Sequence, residues 1–313
     1  MNMDALLEFI DNHKKVYLYG AGANGVLLAD DLLDKNVKIS GIVVTHRSAG
    51  QTRLLGLPIW EVKELAVLDN SDCGFIFALG SNFHCEVSKT LEESGFGYFF
   101  RLPDIFFHEL RENIRKISVP EVLSRWPIQR INYLSPINWR RILLIRLDGI
   151  GDMVLFTPFL RVLRKAHPES EITLIVQPMV YNLVEACPHI DHLLAYDWRK
   201  TITWPFRARC RHVREYVYEH SLTRQYDVVM NPRWGEDYYD AGALAYFTEA
   251  PFRVAWSENV SPIKSIANRG FDNFYTTTML DKRICHEVEH NMQFLALLGI
   301  GVNNVYESIG GAQ

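Results

Sequence analysis

The stretch Arg141-Ile-Leu-Leu-Ile-Arg-Leu-Asp-Gly-Ile-Gly-Asp-Met-Val-Leu-Phe-Thr-Pro158 decides how the chain is read. Its apolar run, 142–147, reads as a strand buried on both faces of a parallel sheet. The run breaks at Asp148-Gly149-Ile150-Gly151-Asp152, after which Phe159, Leu160, Leu163 and Ala166 recur at helical spacing. Gly149 and Gly151 remove Cβ atoms where the backbone turns sharply or approaches a ligand. Asp152 falls at the mouth of a helix, outside the carboxyl end of a strand, where open α/β sheets bind their ligands. Pro158 either kinks this helix or opens it as its first residue after a Thr157 cap.

Outward from that stretch the winding continues. Strands are expected over 171–176, 192–195, 226–231 and 252–256, and helices over 152–166, 179–186, 241–248 and from about 286 to 298. A long basic segment with helical stretches separates the strands at 192–195 and 226–231. The first half alternates in the same way. Strand 14–19 runs into Gly20-Ala-Gly22-Ala-Asn-Gly25 and a helix, followed by strands at 39–44, 57–59, 75–78 and 98–100 and helices at 61–68 and 85–94. An amphipathic helix follows from Phe107. Such alternation predicts an α/β fold of two consecutive Rossmann-like parallel-sheet domains. The proline-bearing stretch between them reads as a connector, which sets a first domain at 1–117, a linker at 118–139 and a second domain at 140–313.

The chain of 313 residues is 48% hydrophobic and 22% charged, the balance of a globular protein able to bury two cores. Its net charge of -4 argues against a uniformly basic nucleic-acid surface. Cys73, Cys85, Cys187, Cys210 and Cys285 form no Cys-x-x-Cys pair, so neither a disulfide framework nor a cysteine metal site is indicated. No run approaches the roughly 18 apolar residues that span a bilayer. The N-terminus is acidic where a signal peptide would be basic, and a cytoplasmic location is expected.

In the first half, Gly20, Gly22 and Gly25 have the Gly-x-Gly-x-x-Gly spacing in a strand-to-helix context, which suits either a bound nucleotide or a purely structural turn. The acidic residue that should close the next strand to hold a ribose is missing, and Val43-Val44-Thr45-His46-Arg47 stands in its place. Arg47 reads as a phosphate contact or as a surface arginine. The segment resembles the small Rossmann-type domains fused to sugar-modifying enzymes such as sugar O-acyltransferases.

The second half, from Ile-Leu-Leu-Ile-Arg-Leu-Asp-Gly-Ile-Gly-Asp through Thr157-Pro158, the arginine-bearing helix, Pro168-Glu-Ser-Glu-Ile-Thr-Leu-Ile-Val and Pro188-His-Ile-Asp, resembles the N-terminal half of glycosyltransferase family 9, the ADP-heptose:lipopolysaccharide heptosyltransferases. The resemblance covers about residues 140 to 300. It implies the acceptor-side half of a GT-B enzyme, with a nucleotide sugar of the ADP-heptose type as donor substrate, no cofactor required for transfer and a phosphorylated glycolipid as acceptor. Peripheral association with the inner face of a membrane would follow. It assigns the general base to Asp152, whose bland alternative is an N-cap. It also carries Arg199, Lys200 and Arg207 over as contacts to acceptor phosphates. A run of arginines is otherwise a solvated helix face.

Asn231-Pro-Arg-Trp-Gly-Glu-Asp follows a strand, so Arg233, Glu236 and Asp237 are expected in the same crevice as acceptor contacts, with packing of the aromatic neighbours as the alternative. His286-Glu-Val-Glu-His290 fits the zincin pattern, but without a third ligand downstream no metal is expected. No second nucleotide-gripping half follows in the sequence. The chain therefore reads as a fragment or truncated form, not expected to transfer sugar alone, or alternatively as a non-catalytic nucleotide- or sugar-binding module.

Overall fold

A computed structural model describes residues 3–68, 72–117, 119–124 and 139–302. The chain forms two compact units, Met1–Ser118 with Thr203–Glu215, and Val119–Ile202 with Tyr216–Gln313.

The first unit contains α1 (Met3–Asp11), β1 (Lys15–Tyr19), α2 (Ala23–Asp34), β2 (Gly41–Val44), β3 (Arg53–Leu54), β4 (Leu57–Glu61), α3 (Val62–Leu68), β5 (Cys73–Phe77), α4 (His84–Glu93), β6 (Tyr98–Arg101) and α5 (Asp104–Arg115). The sheet order is β3-β4-β2-β1-β5-β6, parallel throughout except for the β3–β4 hairpin. Alternate residues of each strand face opposite sides, which gives the sheet two cores. Val16, Leu18, Ile42, Ile59 and Ile76 pack against α1, α2 and α5, whereas Tyr17, Tyr19, Val43, Phe75 and Phe77 pack against α3 and α4.

The second unit adds α6 (Val119–Ser124), β7 (Arg141–Arg146), α7 (Ile150–Ala166), β8 (Glu171–Val176), α8 (Tyr181–Val184), β9 (His192–Ala195), β10 (Val228–Asn231), α10 (Ala241–Phe247), β11 (Phe252–Trp256), α11 (Pro262–Ala267), β12 (Thr277–Met279) and α12 (Glu287–Leu297), while α9 (Phe206–Glu219) belongs to the first unit as far as Glu215 and to the second from Tyr216. Its sheet, β12-β11-β10-β7-β8-β9, is wholly parallel. From β7 the chain builds β8 and β9 on one side, then returns to lay β10, β11 and β12 on the other. The order therefore reverses between β7 and β10, and in open α/β sheets the ligand crevice opens at such a reversal. In the first unit the reversal lies between β1 and β5.

Three expectations need correction. Residues 203–215, placed by the sequence reading in the second domain, belong to the first unit, where Ala208 is buried in the core of α1, α2 and α5. The connector is in part the helix α6 of the second unit, while 125–138 lie outside the described residues. Finally, α7 starts at Ile150 with Gly149 as its N-cap, so neither Asp152 nor Thr157 caps it and Pro158 sits inside the helix. A proline there leaves the carbonyl four residues back without its donor. That carbonyl, on Val154, accepts instead from the Thr157 hydroxyl at 2.8 Å. The next one, on Leu155, accepts from Asn291 Nδ2 at 3.3 Å.

Candidate active site at the β7–β10 reversal

Two carboxylates flank the turn after β7, and the structure treats them differently. Asp148 is buried, its side chain 1% exposed. Arg146, the last residue of β7 and equally buried, brings Nε to 2.5 Å from Asp148 Oδ2 as an ion pair without hydrogen-bond alignment. Arg146 also donates through a terminal nitrogen to Glu287 Oε1 at 2.6 Å, and its guanidinium lies 5.1 Å from the Phe156 ring centroid. From the end of β10, Arg233 donates to Asp148 Oδ1. Gln177 Nε2, beyond β8, donates to the Asp148 carbonyl at 2.5 Å. Buried charges persist only when paired in this way.

Asp152 is the third residue of α7, half-buried, and no hydrogen bond or ion pair engages its carboxylate among the described residues. Its Oδ2 lies 3.9 Å from where a Cβ on Gly149 would stand, so the carboxylate turns back toward the glycine turn. Gly149 and Gly151 have ordinary negative backbone angles, and a Cβ on Gly151 would meet nothing within 4 Å. The first amides of α7 have no partners within the helix, as at every helix start, and they face the same turn.

The residues beyond β10 divide in the same way. Arg233 reaches the crevice but is committed: besides Asp148, its Nε donates to the Glu236 carbonyl at 2.5 Å, and its guanidinium lies 5.0 Å from the Tyr239 ring centroid. Glu236 is half-buried and its carboxylate has no partner among the described residues. Asp237 is buried, and the expectation that it contacts an acceptor is corrected. Its two oxygens accept from the Tyr239 and Gly242 amides, each at 3.0 Å, which holds the turn into α10. Beneath them Lys264 is buried and donates to the Arg233 carbonyl at 2.9 Å and the Trp256 carbonyl at 3.4 Å. Burial, reinforced by the Arg233 charge, lowers its ammonium to about 8, against the opposing pull of Asp237.

The basic residues have other settings. Arg199 and Lys200 are exposed on a short 3-10 turn after β9, Arg199 donating to Asp197 at 3.1 Å. Since β9 is two strands from β7, they start about 10 Å away along the sheet. Arg207 is corrected outright. It lies in the first unit, 10% exposed, with Nε 2.9 Å from Asp30 Oδ2 and a second ion pair to Asp34, so its charge is spent inside the fold.

The zincin-like segment also resolves. His286 is the exposed N-cap of α12, accepting from the Val288 amide, whereas His290 is buried with its ring stacked on Trp234 at 4.4 Å. The intervening Glu287 serves Arg146. Among the described residues no group of three His, Cys, Asp or Glu side chains is placed to hold a metal ion. Sequence reasoning missed Arg146, Lys264 and Glu287 as parts of the site. The available signal was Arg146 itself, a charge closing an otherwise apolar strand.

At the reversal of the first sheet, Gly20 has φ +118° and Gly25 would bring a Cβ to 2.0 Å from the Gly20 carbonyl oxygen, so both glycines are dictated by the strand-to-helix turn. Gly22, the N-cap of α2, has open space around it. Arg47 is not available to a phosphate, because it donates to the Ile59 carbonyl at 2.9 Å and to Glu64 at 3.0 Å.

The second unit is thus an open parallel α/β unit with one buried, ion-paired carboxylate and one accessible carboxylate at its reversal. No protein-family model matches the chain, and no curated protein matches it. Among solved structures it is similar to a glycosyltransferase family 9 protein from Veillonella parvula DSM 2008, at 24% identity over 57% of this chain and 52% of that one, with a TM-score of 0.42. It is also similar to the E. coli heptosyltransferase WaaC with ADP, at 15% identity over 51% and 48% with a TM-score of 0.39. E. coli ADP-heptose lps heptosyltransferase II matches at 15% identity over 50% and 40% with a TM-score of 0.32. The chain spans about half the length of these structures or less. Among the described residues no helix is long and apolar enough to cross a membrane.

Proposed function

We propose that the second unit is the acceptor-side half of an inverting glycosyltransferase of the heptosyltransferase type, with Asp152 as general base. In such a reaction the acceptor hydroxyl attacks the anomeric carbon, the nucleoside diphosphate leaves with the electron pair of the broken C–O bond, and the hydroxyl proton passes to a carboxylate. The observation that carries the reading is the contrast within one turn. Asp148 is consumed by Arg146 and Arg233, while Asp152, on the position the family resemblance marks, is accessible, unpartnered and turned toward two glycines that leave room for a substrate. A positioned base contributes about 10²–10⁴-fold.

On this reading the donor is a nucleotide sugar such as ADP-heptose, held by a further nucleotide-binding half. The acceptor is a phosphorylated glycolipid met by Arg199 and Lys200 at a membrane surface. The test follows release of nucleoside diphosphate and sugar transfer by the complete enzyme. Asp152→Asn should cut turnover about 10²–10⁴-fold while acceptor affinity holds, and unchanged turnover would refute the assignment.

A second reading, a nucleotide bound by the first unit, is favoured by the space at Gly22 ahead of the twelve-residue α2. Isothermal titration of the full chain with NAD, CoA and nucleotide sugars tests it. Loss of any heat signal in Gly22→Val supports it, and silence from all the ligands ends it.

A further inference from the structure

The first unit holds a cavity of about 300 Å³ that meets the glycine turn at Ala23 and runs from there along α2 and α5, and neither reading above uses its apolar walls. Its walls are Ala23, Val26 and Leu27 of α2, Ile114 of α5 with Ile117 just beyond it, and Trp204 to Phe206 from the segment that returns to this unit. Its volume is at the small end of the roughly 300–1,000 Å³ range of ligand sites. The lining is unevenly charged. Arg111 and Arg115 are its charged residues, and no acidic side chain lines it. Arg115 spends part of its charge on Glu112 at 2.8 Å. Arg111 meets only the neutral amide oxygen of Asn24, at 3.3 Å, and has no carboxylate partner among the described residues. Ala23, the first residue of α2, brings the positive end of that helix to the same cavity. The aromatic wall is itself supported, since Trp204 packs on the core of α1, α2 and α5 and edge-on against His212, ring centroids 5.6 Å apart.

An apolar chamber with an uncompensated guanidinium at its side selects by two criteria at once. A neutral apolar molecule leaves Arg111 without a counter-charge, and a bare inorganic anion leaves the apolar walls wet. We propose that this cavity binds a small amphiphilic anion, with an apolar ring-bearing body against Trp204, Leu27 and Ile114 and a single carboxylate, sulfonate or phosphate at Arg111 and Arg115. Because Thr203–Phe206 leads directly into the helix that carries Arg207, a ligand here also fastens that segment to the first unit.

The probe is 1-anilinonaphthalene-8-sulfonate, followed by dye fluorescence and by the melting temperature of the full chain. One saturable site is expected. Arg111→Gln should weaken binding about tenfold or more, and the neutral counterpart N-phenyl-1-naphthylamine should bind about tenfold more weakly than the sulfonate. Ile117→Trp fills the cavity from the α5 side and Thr203→Trp from the exposed opposite wall, so whichever of them melts like the parent protein should abolish the site. Dye binding that survives both replacements overturns the proposal, as do equal affinity for the neutral compound and displacement of the dye by inorganic phosphate at concentrations that leave the apolar walls empty. Failure of any of these leaves the assignment of Asp152 untouched.

Discussion

The two sheets reverse in the same way, at β1–β5 and at β7–β10, and each places glycines from the end of its first strand into the first turn of the following helix. The glycines are there for different reasons. At the first reversal Gly20 needs a left-handed backbone and Gly25 nearly touches the Gly20 carbonyl oxygen, so the fold itself requires both. At the second, Gly149 and Gly151 would accept a methyl group as the backbone stands, and the acid beside them is left unpaired. Packing thus demands neither Gly149 nor Gly151, and it leaves the Asp152 carboxylate beside them unused, whereas at the first reversal Gly22 alone has such freedom.

That contrast can be broken by substitution. The largest effect expected is on Asp152→Asn, which should lose about 10²–10⁴-fold in turnover yet change stability by less than about 1 kcal/mol, because it removes only a helix-dipole contact. A melting temperature that falls with the activity would make Asp152 structural. Asp148→Ala should do the reverse, costing about 3–5 kcal/mol in a denaturant titration, because Arg146 and Arg233 lose their shared counter-charge. Gly25→Ala, forced against a backbone oxygen, should cost about 3 kcal/mol or more, whereas Gly151→Ala should gain about 0.5–1 kcal/mol from its helical position while slowing transfer. If both alanines destabilise equally, the distinction between the two turns fails.

A smaller effect sharpens the picture of the second site. The Lys264 ammonium is depressed to about 8 in the folded protein, so between that pH and about pH 10 the unfolded chain binds the extra proton and stability rises with pH. Below about pH 8 both states are protonated and the gain is absent. It should amount to something on the order of 2 kcal/mol by pH 10 and vanish in Lys264→Met. Above that, the buried Tyr275 hydroxyl, pushed up by burial and by Asp237, opposes it, since the unfolded chain then ionises first. The comparison of parent and variant melting curves therefore belongs below pH 10.

The strands were legible because parallel sheets demand continuous apolar runs. The expected spans 171–176, 192–195 and 252–256 coincide with β8, β9 and β11. Asp152 stood out because a strand, two glycines and an acid are contiguous in sequence. Helix α1 escaped notice, lacking any flanking strand when read from the N-terminus. Arg207 misled because an arginine in a basic run looks the same whether water or a carboxylate receives it, and its partner Asp30 lies 177 residues away. The role of Asp237 was hidden for a related reason, since backbone amides carry no signature in sequence. Lys264 was invisible because nothing local announces that a lysine of a short helix will be closed off from water.

Because Thr203–Glu215 completes the first unit, that unit has no single boundary at which it can be cut free. A polypeptide ending near residue 118 would keep its sheet but expose Leu27, and it would strand Asp30 in apolar surroundings without the two guanidinium groups that neutralise it. Burial already raises the Asp30 pKa above its ordinary value, so that ionisation is disfavoured even with those partners in place. Dissection of this protein thus calls for a circularly joined or split-chain design that carries the returning segment along, and a misbehaving N-terminal piece would speak of a missing wall rather than of an unstable fold.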